Sequence, residues 1–211
     1  MASTTRSVTS TVTGVVPCAG ESSRMGAPKA LLPAGGSTFL DHVTGALEEG
    51  GCAPIIVVVA DLHGPVAERA RATGARVEVN EHPAEGPITS LRVALRALGD
   101  DVEACAFLPV DHPLVQAATV ARLIASLQAS DAPIVVPSYG GERGHPVLFR
   151  RSVFTELFED GLAEGARSVV HRHLPDLLEV AVPDPGVLTD IDTPGEYRSH
   201  FSEITPALDG S

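Results

Sequence analysis

A loop rich in glycine, serine and basic residues follows the first apolar run of the chain. The segment from 17 to 29 contains Gly20, Arg24, Gly26 and Lys29. Glycine lets the backbone come close to a ligand, and successive N–H groups in such a loop can hold an anion. Arg24 offers a planar fork for phosphate oxygens, and Lys29 offers a compact point charge. The pattern predicts a cradle for a polyphosphate, best suited to a nucleoside triphosphate.

The spacing in this loop differs from two common phosphate-binding loops. A P-loop has four residues between its glycines and Ser or Thr after its Lys. Here five residues separate Gly20 from Gly26, Ala30 follows Lys29, and the dinucleotide fingerprint G-x-G-x-x-G is absent. The remaining alternative is an ordinary turn between a strand and a helix, which does not need Arg and Lys at fixed offsets.

Two acidic segments also follow predicted strands. Asp111 comes after the apolar run that ends at Pro109. At the carboxyl end of a parallel strand a carboxylate points into the ligand crevice, where it can hold Mg²⁺; a turn or helix cap is the alternative. Asp190 and Asp192 share one face if their segment is extended. Asp192 can therefore ligate a metal, or cap the last helix, which begins at Pro194.

Two weaker candidates complete the set of chemical positions. The segment from Gly86 to Ser90 presents hydroxyls and N–H groups at a predicted helix start, which suits a base or ribose and suits a plain helix cap equally well. A glycine-rich loop around Arg143 and His145 suits an anionic second substrate.

The composition predicts a protein with an apolar core and a negative net charge. It has 211 residues, 44% of them apolar, and a formal net charge of −12. The length suffices for one large α/β domain. The charge argues against a nucleic-acid binder, whose phosphate contacts need a basic face. No apolar run is long enough to span a membrane, so no membrane partner is expected.

The number and spacing of the cysteines indicate a reducing cellular compartment. Cys18, Cys52 and Cys105 are odd in number, far apart and without a C-x-x-C pair. Reduced thiols in a cytoplasmic protein are the simplest account. We expect residues 1–11 to be a flexible leader without the apolar core of a signal peptide. We expect one domain over 12–203 and a flexible tail over 204–211.

Apolar runs alternate with helical patterns through most of the chain. The alternation predicts βαβ units and a mostly parallel sheet covered on both faces. In such sheets ligands bind beyond the carboxyl ends of the strands, where the phosphate cradle lies. The predicted strands are Val12–Pro17, Ile55–Ala60, Val77–Asn80, Ala104–Pro109 and Ile134–Pro137. The predicted helices are Thr38–Glu49, Val66–Thr73, Ile88–Leu98 and Ala117–Ala129.

The pattern changes beyond Pro137. Gly140 and Gly141 predict a hairpin turn, and an antiparallel strand is expected at the edge of the sheet. The further predicted strands are Val147–Phe149, Leu177–Val182 and Val187–Ile191. The further predicted helices are Ser152–Phe158, Gly165–His173 and a last one from Pro194 to about Phe201.

Taken in order, these segments resemble the MobA-like nucleotidyltransferases, and among them the molybdenum cofactor cytidylyltransferases. The resemblance runs from about Val12 to Phe201. The G-x-x-T-S, G-H-P and D-I-D-T-P segments point to the cytidylyl rather than the guanylyl branch. The matching segments are A-G-x-S-x-R-M-G-x-P-K at 19–29, L-L-P at 31–33, G-x-x-T-S at 86–90, D-x-P at 111–113, G-H-P at 144–146 and D-I-D-T-P at 190–194.

The resemblance implies a fold and a set of site residues. The fold is a Rossmann-like three-layer α/β sandwich of the nucleotide-diphospho-sugar transferase type. Arg24, Lys29 and Asp111 are implied to be catalytic, and Asp111 and Asp192 to hold Mg²⁺. The nucleotide-binding residues implied are Ala19, Gly20, Ser22, Ser23, Arg24, Gly26, Lys29, Gly86, Thr89 and Ser90. The second-substrate residues implied are Arg143, Gly144 and His145.

The implied reaction transfers CMP from CTP to a molybdopterin-type phosphate acceptor, for a recipient molybdoenzyme of the xanthine dehydrogenase type. Pro17 and Cys18 depart from the Ala or Leu-Ala common in relatives, in a segment that helps to read the base. Alternatives with the same fold use GTP, or have a sugar phosphate, methylerythritol phosphate or phospholactate as acceptor. A nicotinamide-dependent oxidoreductase of the same superfamily and a non-catalytic cofactor carrier are alternatives of other classes.

Overall fold

The structure, a computed structural model, describes residues 11–20 and 26–201. The expected tail and all of the expected leader except Thr11 lie outside these residues. The strands are β1 Thr11–Pro17, β2 Pro33–Ala34, β3 Ser37–Thr38, β4 Ile55–Val59, β5 Arg76–Val79, β6 Val102–Phe107, β7 Ile134–Tyr139, β8 Glu142–Arg143, β9 Val147–Arg150 and β10 Leu178–Ala181. The α-helices are α1 Phe39–Glu49, α2 Pro65–Ala72, α3 Pro87–Arg96, α4 Ala117–Gln128, α5 Phe154–Leu157, α6 Ala166–Arg172 and α7 Pro194–Phe201. Short 3₁₀ turns span Lys29–Leu31, Pro83–Glu85, Arg151–Val153 and Pro185–Leu188.

The main sheet has the strand order β10-β7-β9-β6-β1-β4-β5, and β8 pairs with the end of β7. β1 is parallel to β4 and β6, β4 to β5, and β10 to β7. β9 is antiparallel to both β6 and β7. The predicted α/β class with a mostly parallel sheet is confirmed. The antiparallel strand β9 lies inside the sheet, whereas the edge strands β5 and β10 each run parallel to their neighbour.

The strand order places a crevice beside β1. The chain passes from β1 to β4 and β5 on one side and then returns to the other side of β1 with β6. Loops that leave the carboxyl ends of β1 and β6 therefore turn away from each other and leave a gap between them. Backbone hydrogen bonds extend the ladder up to this gap, from Cys18 N to Val58 O (2.7 Å) and from Leu108 N to Val15 O (3.0 Å). The segments that carry the predicted cradle and Asp111 begin there.

Separate apolar cores cover the two faces of the sheet. Val57 and Val59 of β4 pack with α1, α2 and α4, whereas Ile56 and Val58 pack with α3, α5 and α6. The arrangement explains why β4 is an unbroken apolar run, as parallel strands buried on both faces are. The longest helix in the described residues, α4, has 12 residues, and none of the helices there is long and apolar enough to cross a membrane.

The predicted strand over Val187–Ile191 is wrong. A 3₁₀ turn spans Pro185–Leu188, and no strand follows before α7. Asp184, Pro185 and Gly186 start the turn, because the Asp184 side chain accepts a hydrogen bond from Gly186 N. Val187 and Ile191 are both buried, so their apolar character reflects packing rather than strand pairing.

The predicted hairpin turn at Gly140 and Gly141 is confirmed. Their φ angles are 60° and 88°, in the left-handed region that favours glycine, and Tyr139 pairs with Glu142 across the turn. The pairing with β7 continues just beyond β8, where Gly144 N donates to Pro137 O at 3.0 Å.

Candidate nucleotide and metal site

A cavity of about 500 Å³ lies at the carboxyl ends of β1 and β6. Its wall combines the loop after β1, the start of α3, the loop after β6 and the segment before α7. Residues predicted from the sequence that line it are Gly20, Lys29, Gly86, Ser90, Asp111, His145 and Asp190. The cavity therefore joins segments that are far apart in the chain, at the place where sheets of this kind bind ligands.

Lys29 links two acidic segments, the loop after β6 and the segment before α7. It is the only lysine of the chain, and it begins a 3₁₀ turn directly after Pro28. Its Nζ donates to Asp111 Oδ2 at 3.3 Å and also to Asp192 Oδ1. Burial alone would lower the pKa of Lys29, but the hydrogen bond to Asp192 and the charge of Asp111 outweigh it and raise the pKa. The ammonium is therefore charged at neutral pH.

Asp111 does not act as a helix cap. The next helix, α4, begins six residues later, and its N-cap residue Gln116 makes no capping bond through its own side chain. Gln116 N donates instead to the Asp184 carboxylate, at 3.0 Å. The Asp111 carboxylate is thus left for Lys29 and for the cavity.

Asp192 is likewise not the cap of the last helix. Thr193 Oγ1 accepts from Glu196 N at 3.2 Å, and the Glu196 carboxylate accepts from Thr193 N at 2.8 Å. This is a capping box, and its T-x-x-E pattern is readable in the sequence. Since Thr193 caps α7, the Asp192 side chain is left to contact Lys29.

The two carboxylates fit a divalent cation that is completed by substrate. Asp111 Oδ1 is buried and has no hydrogen-bond partner in the described part of the chain, an unfavourable state for a carboxylate oxygen. No cluster of three or more His, Cys, Asp or Glu side chains within residues 11–20 and 26–201 can hold a metal alone. Mg²⁺ is typically bound through one or two carboxylates together with phosphate oxygens and water. Asp111 and Asp192 match that donor set.

The start of α3 forms the opposite wall of the cavity. Gly86 has a φ of 95° and ends the turn before Pro87. The Ser90 hydroxyl accepts from Asn80 Nδ2 at 3.0 Å, while the Thr89 hydroxyl bonds to Gly86 O at 2.8 Å. Thr89 thus secures its own loop, whereas Ser90 lines the cavity.

Two histidines, His112 and His145, also line the first cavity. The rings of His112 and His145 lie 4.7 Å apart between centroids, and His112 Nε2 is 4.0 Å from Asp111 Oδ1. Burial lowers the pKa of His112, and the charge of Asp111 only partly opposes it. Burial, assisted by the neighbouring His112, lowers the pKa of His145 to about 4. At neutral pH His145 is an uncharged polar group.

A second cavity, of about 970 Å³, adjoins the first and shares Gly86, Pro87 and His145 with it. Its rim carries Arg143, whose Nε donates to Glu179 Oε2 at 2.8 Å. Apolar residues of α3 and of the sheet also line it, namely Ile88, Phe107, Val136, Val147 and Phe149. The second cavity therefore combines an apolar surface with charged side chains, whereas the charged side chains Lys29, Asp111 and Asp190 of the first cavity lie among proline, alanine and valine residues.

Comparison with known proteins identifies the family. The model of the MobA-like NTP transferase domain matches residues 14–177. The chain belongs to the MobA-like NTP transferase family. It is 30% identical over 192 residues to a probable molybdenum cofactor guanylyltransferase of Mycobacterium avium, covering 88% of this chain and 93% of that protein. It is 28% identical over 198 residues to the molybdenum cofactor cytidylyltransferase of Escherichia coli, covering 90% and 97%.

A solved structure of a similar protein contains a metal. Rv0371c of Mycobacterium tuberculosis in complex with manganese superposes with a TM-score of 0.72 at 30% identity, over 92% of this chain and 100% of that one. The predicted resemblance to MobA-like nucleotidyltransferases is thereby confirmed, together with the fold that it implied.

The structure separates the predicted site residues of this MobA-like NTP transferase by position. Gly20, Lys29, Gly86, Ser90 and Asp111 line the first cavity, Asp192 bonds to Lys29, and Arg143, Gly144 and His145 line the second. Ala19 is buried, Gly26 is exposed, and Thr89 bonds within its loop, so none of these three lines the first cavity. Ser22, Ser23 and Arg24 lie outside the described residues.

Sequence reasoning assigned no role to Asn80. It is 2% exposed, and its amide donates to Thr89 Oγ1 at 2.8 Å and to Ser90 Oγ at 3.0 Å. It thereby ties the end of β5 to the start of α3. The available signal was a polar residue at the carboxyl end of a predicted parallel strand, the same signal that singled out Asp111.

Proposed function

We propose that this member of the family is a molybdenum cofactor cytidylyltransferase that uses CTP and Mg²⁺. The observation that supports it is the contact of Lys29 with both Asp111 and Asp192, with one buried Asp111 oxygen that has no hydrogen-bond partner among the described residues. A lysine between two carboxylates at the carboxyl ends of parallel strands is suited to a triphosphate and its metal.

The proposed reaction is an in-line displacement at the α-phosphorus of CTP. An oxygen of the acceptor's terminal phosphate forms the new P–O bond, the bond to the β-phosphate oxygen breaks, and pyrophosphate leaves. A phosphate monoester is already anionic near neutral pH, so no side chain has to remove a proton. The chain then contributes positioning and charge: Lys29 and Arg24 hold phosphate oxygens. Asp111 and Asp192 would hold Mg²⁺, which supplies neutralisation of charge on the triphosphate.

The second cavity is the proposed acceptor site. It opens into the first beside His145, so a molecule bound there can direct a phosphate toward the nucleotide. Its apolar lining suits a flat heterocycle. Arg143 supplies a cation for an anionic group, and the uncharged His145 supplies a polar contact that adds no charge of its own.

The proposal is less specific about the nucleotide base than about the type of reaction. Relatives of similar identity are named guanylyltransferase and cytidylyltransferase. CTP is favoured by the segments at 86–90, 144–146 and 190–194, and GTP is the alternative. The recipient of the product is proposed to be a molybdoenzyme of the xanthine dehydrogenase type, and the free thiols Cys18, Cys52 and Cys105 agree with a cytoplasmic site.

An oxidoreductase using a nicotinamide cofactor is the alternative from another class. Hydride transfer needs neither a cation between two carboxylates nor a divalent metal. The Lys29, Asp111 and Asp192 arrangement would then have no use, which is why the transferase is preferred.

Pyrophosphate release tests the proposal. CTP, GTP, ATP and UTP are each supplied with Mg²⁺ and a molybdopterin-type acceptor, and Lys29→Met is the control because Met keeps the length of the side chain without its charge. We expect release with CTP that Lys29→Met loses. Selective release with GTP would move the protein to the guanylyl branch. Absence of release with every nucleotide, together with oxidation of a nicotinamide cofactor, would overturn the transferase assignment.

A further inference from the structure

The segment from 182 to 193 carries Asp192 into the site without belonging to the sheet. Its last backbone hydrogen bond to the sheet, directly after β10, runs from Val182 N to Ser138 O at 2.9 Å. Beyond that bond no strand pairing holds it in the described structure. The position of the Asp192 carboxylate must therefore depend on contacts made by the segment itself.

Asp184 makes the most extensive of these contacts. It is a carboxylate only 1% exposed. Its Oδ2 accepts from Gln116 N at 3.0 Å and from Thr119 Oγ1 at 2.7 Å. Its Oδ1 accepts from Gly186 N at 3.0 Å and from Gln116 Nε2 at 3.4 Å. Both oxygens are therefore committed to donors from α4 and from its own turn.

These bonds fix the Asp184 segment against the loop that carries Asp111. Gln116 ends that loop, and farther along Ile191 N donates to Asp111 O at 2.9 Å. The two backbones pack so closely at the turn that a Cβ on Gly186 would lie 2.3 Å from Leu114 O. The 182–193 segment is thus joined to the Asp111 loop at both ends of its path.

The same segment also carries the loop of His145. His145 N donates to Val187 O at 2.9 Å, and a Cβ on Gly144 would lie 2.1 Å from that oxygen. The turn at 184–188 therefore contacts both the Asp111 loop and the His145 loop, and it lies in the same segment as Asp192.

We propose that Asp184 is a positioning residue that sets the separation of the Asp111 and Asp192 carboxylates, and thereby the affinity for the divalent metal in the nucleotide complex. The proposal rests on the proposed function, because it assumes that these two carboxylates share a metal. Asp184 touches neither substrate nor metal and acts through the backbones that it joins.

The test compares two carboxylates that cap helices. Asp184→Asn places an amide N–H against a donor in either orientation of the side chain, because both oxygens accept from backbone N–H groups. Asp41→Asn is the matched control. Asp41 accepts from Thr38 N and Ser37 Oγ at the start of α1, away from the cavity. Thr119→Val is a milder variant that removes one donor to Asp184 and preserves shape.

The readout is binding rather than turnover. Free Mn²⁺ is counted by electron paramagnetic resonance while the metal is titrated into each folded variant with CTP, and CTP binding without metal is measured by calorimetry. We expect Asp184→Asn to weaken Mn²⁺ binding in the presence of CTP at least tenfold, and Thr119→Val to weaken it about threefold. Asp41→Asn should change it less than twofold, and metal-free CTP binding should stay within threefold throughout.

Four outcomes would contradict one of the two proposals. A folded Asp184→Asn protein with wild-type Mn²⁺ affinity overturns the proposal, and so does an equal loss of metal-free CTP binding, which marks general damage. If Asp184→Asn does not fold, Thr119→Val decides, and unchanged Mn²⁺ affinity there overturns the proposal. Failure of the wild-type protein to bind Mn²⁺ with CTP or with GTP would instead refute the proposed function.

Discussion

The two adjoining cavities differ in how their walls are made. The first, about 500 Å³, lies at the carboxyl ends of β1 and β6 and brings Lys29 and Asp111 together with Asp190 from the segment before α7. The second, about 970 Å³, has an apolar lining and a rim of charged groups such as Arg143. Charges fixed at strand ends suit a reaction step that is the same for every acceptor, whereas an apolar surface with a charged rim suits recognition of one particular acceptor. Substitutions in the two cavities should therefore have separable kinetic effects.

The largest effect is expected from Asp111→Asn in the first cavity. The change keeps the shape of the side chain but removes the charge opposite Lys29 and weakens a proposed metal ligand. Turnover should fall by about 10³-fold or more, because charge stabilisation at the phosphates is the main contribution expected of this chain. Steady-state pyrophosphate release measures it.

Asp190→Asn is the matched control for that loss. Asp190 lines the same cavity, and no hydrogen bond from its side chain to Lys29 is found in the described residues. A loss as large as that of Asp111→Asn would show that any carboxylate in this cavity matters equally, and would remove Asp111 from its assigned role.

The sequence predicted the first cavity better than the second for a physical reason. Lys29 and Asp111 each lie in a short contiguous segment directly after a strand, so the parallel sheet alone brings them together. The second cavity takes its wall from segments that no local pattern connects, from α3 to β10.

The segment before α7 shows the limit of pattern reasoning most clearly. Val187 and Ile191 are apolar because they are buried, and burial does not distinguish a strand from a 3₁₀ turn. What decides is the Asp184 carboxylate, whose partners Gln116 and Thr119 lie more than 60 residues away. Such a contact leaves no periodic signal in the sequence.

The contribution of His145, which lines both cavities, to the free energy of unfolding should depend on pH. The folded protein keeps His145 uncharged down to a pKa of about 4, whereas the unfolded chain takes up the proton near 6.5. The unfolded state thus binds more protons between these values, so this contribution to stability is complete above about pH 6.5 and is lost as the pH falls toward 4. The contribution is at most about 3 kcal/mol.

Urea unfolding of the wild-type protein and of His145→Asn at pH 7.5, 6 and 5 measures this contribution. The variant should lose less free energy of unfolding than the wild type on acidification. His63→Asn is the control, since His63 is exposed and lies in neither cavity. Parallel pH profiles of wild type and His145→Asn would show that burial beside His112 does not keep His145 neutral.

Substitution of Lys29 should change the affinity of the first cavity for a divalent metal. Its ammonium contacts both carboxylates that would hold the cation. Lys29→Met removes a competing positive charge, so Mn²⁺ should bind about tenfold more tightly in the absence of nucleotide even though turnover is lost. Direct Mn²⁺ titration of the apo protein measures it. Weaker binding of Mn²⁺ to Lys29→Met would mean that the lysine orders the carboxylates rather than competes for them.

The smallest effect is expected at the rim of the second cavity, and there the sign matters more than the size. Arg143→Gln should raise the KM for an anionic acceptor about fivefold, with the KM for CTP and with kcat little changed, because binding of the acceptor alone is weakened. Glu179→Gln should lower the acceptor KM, since it releases Arg143 from its ion pair. Arg76→Gln, which breaks an exposed pair with Glu78 on β5, is the control and should change neither constant. If Arg143→Gln raised the KM for CTP as much as that for the acceptor, the two cavities would form one nucleotide site, and the acceptor would have to bind elsewhere on the molecule.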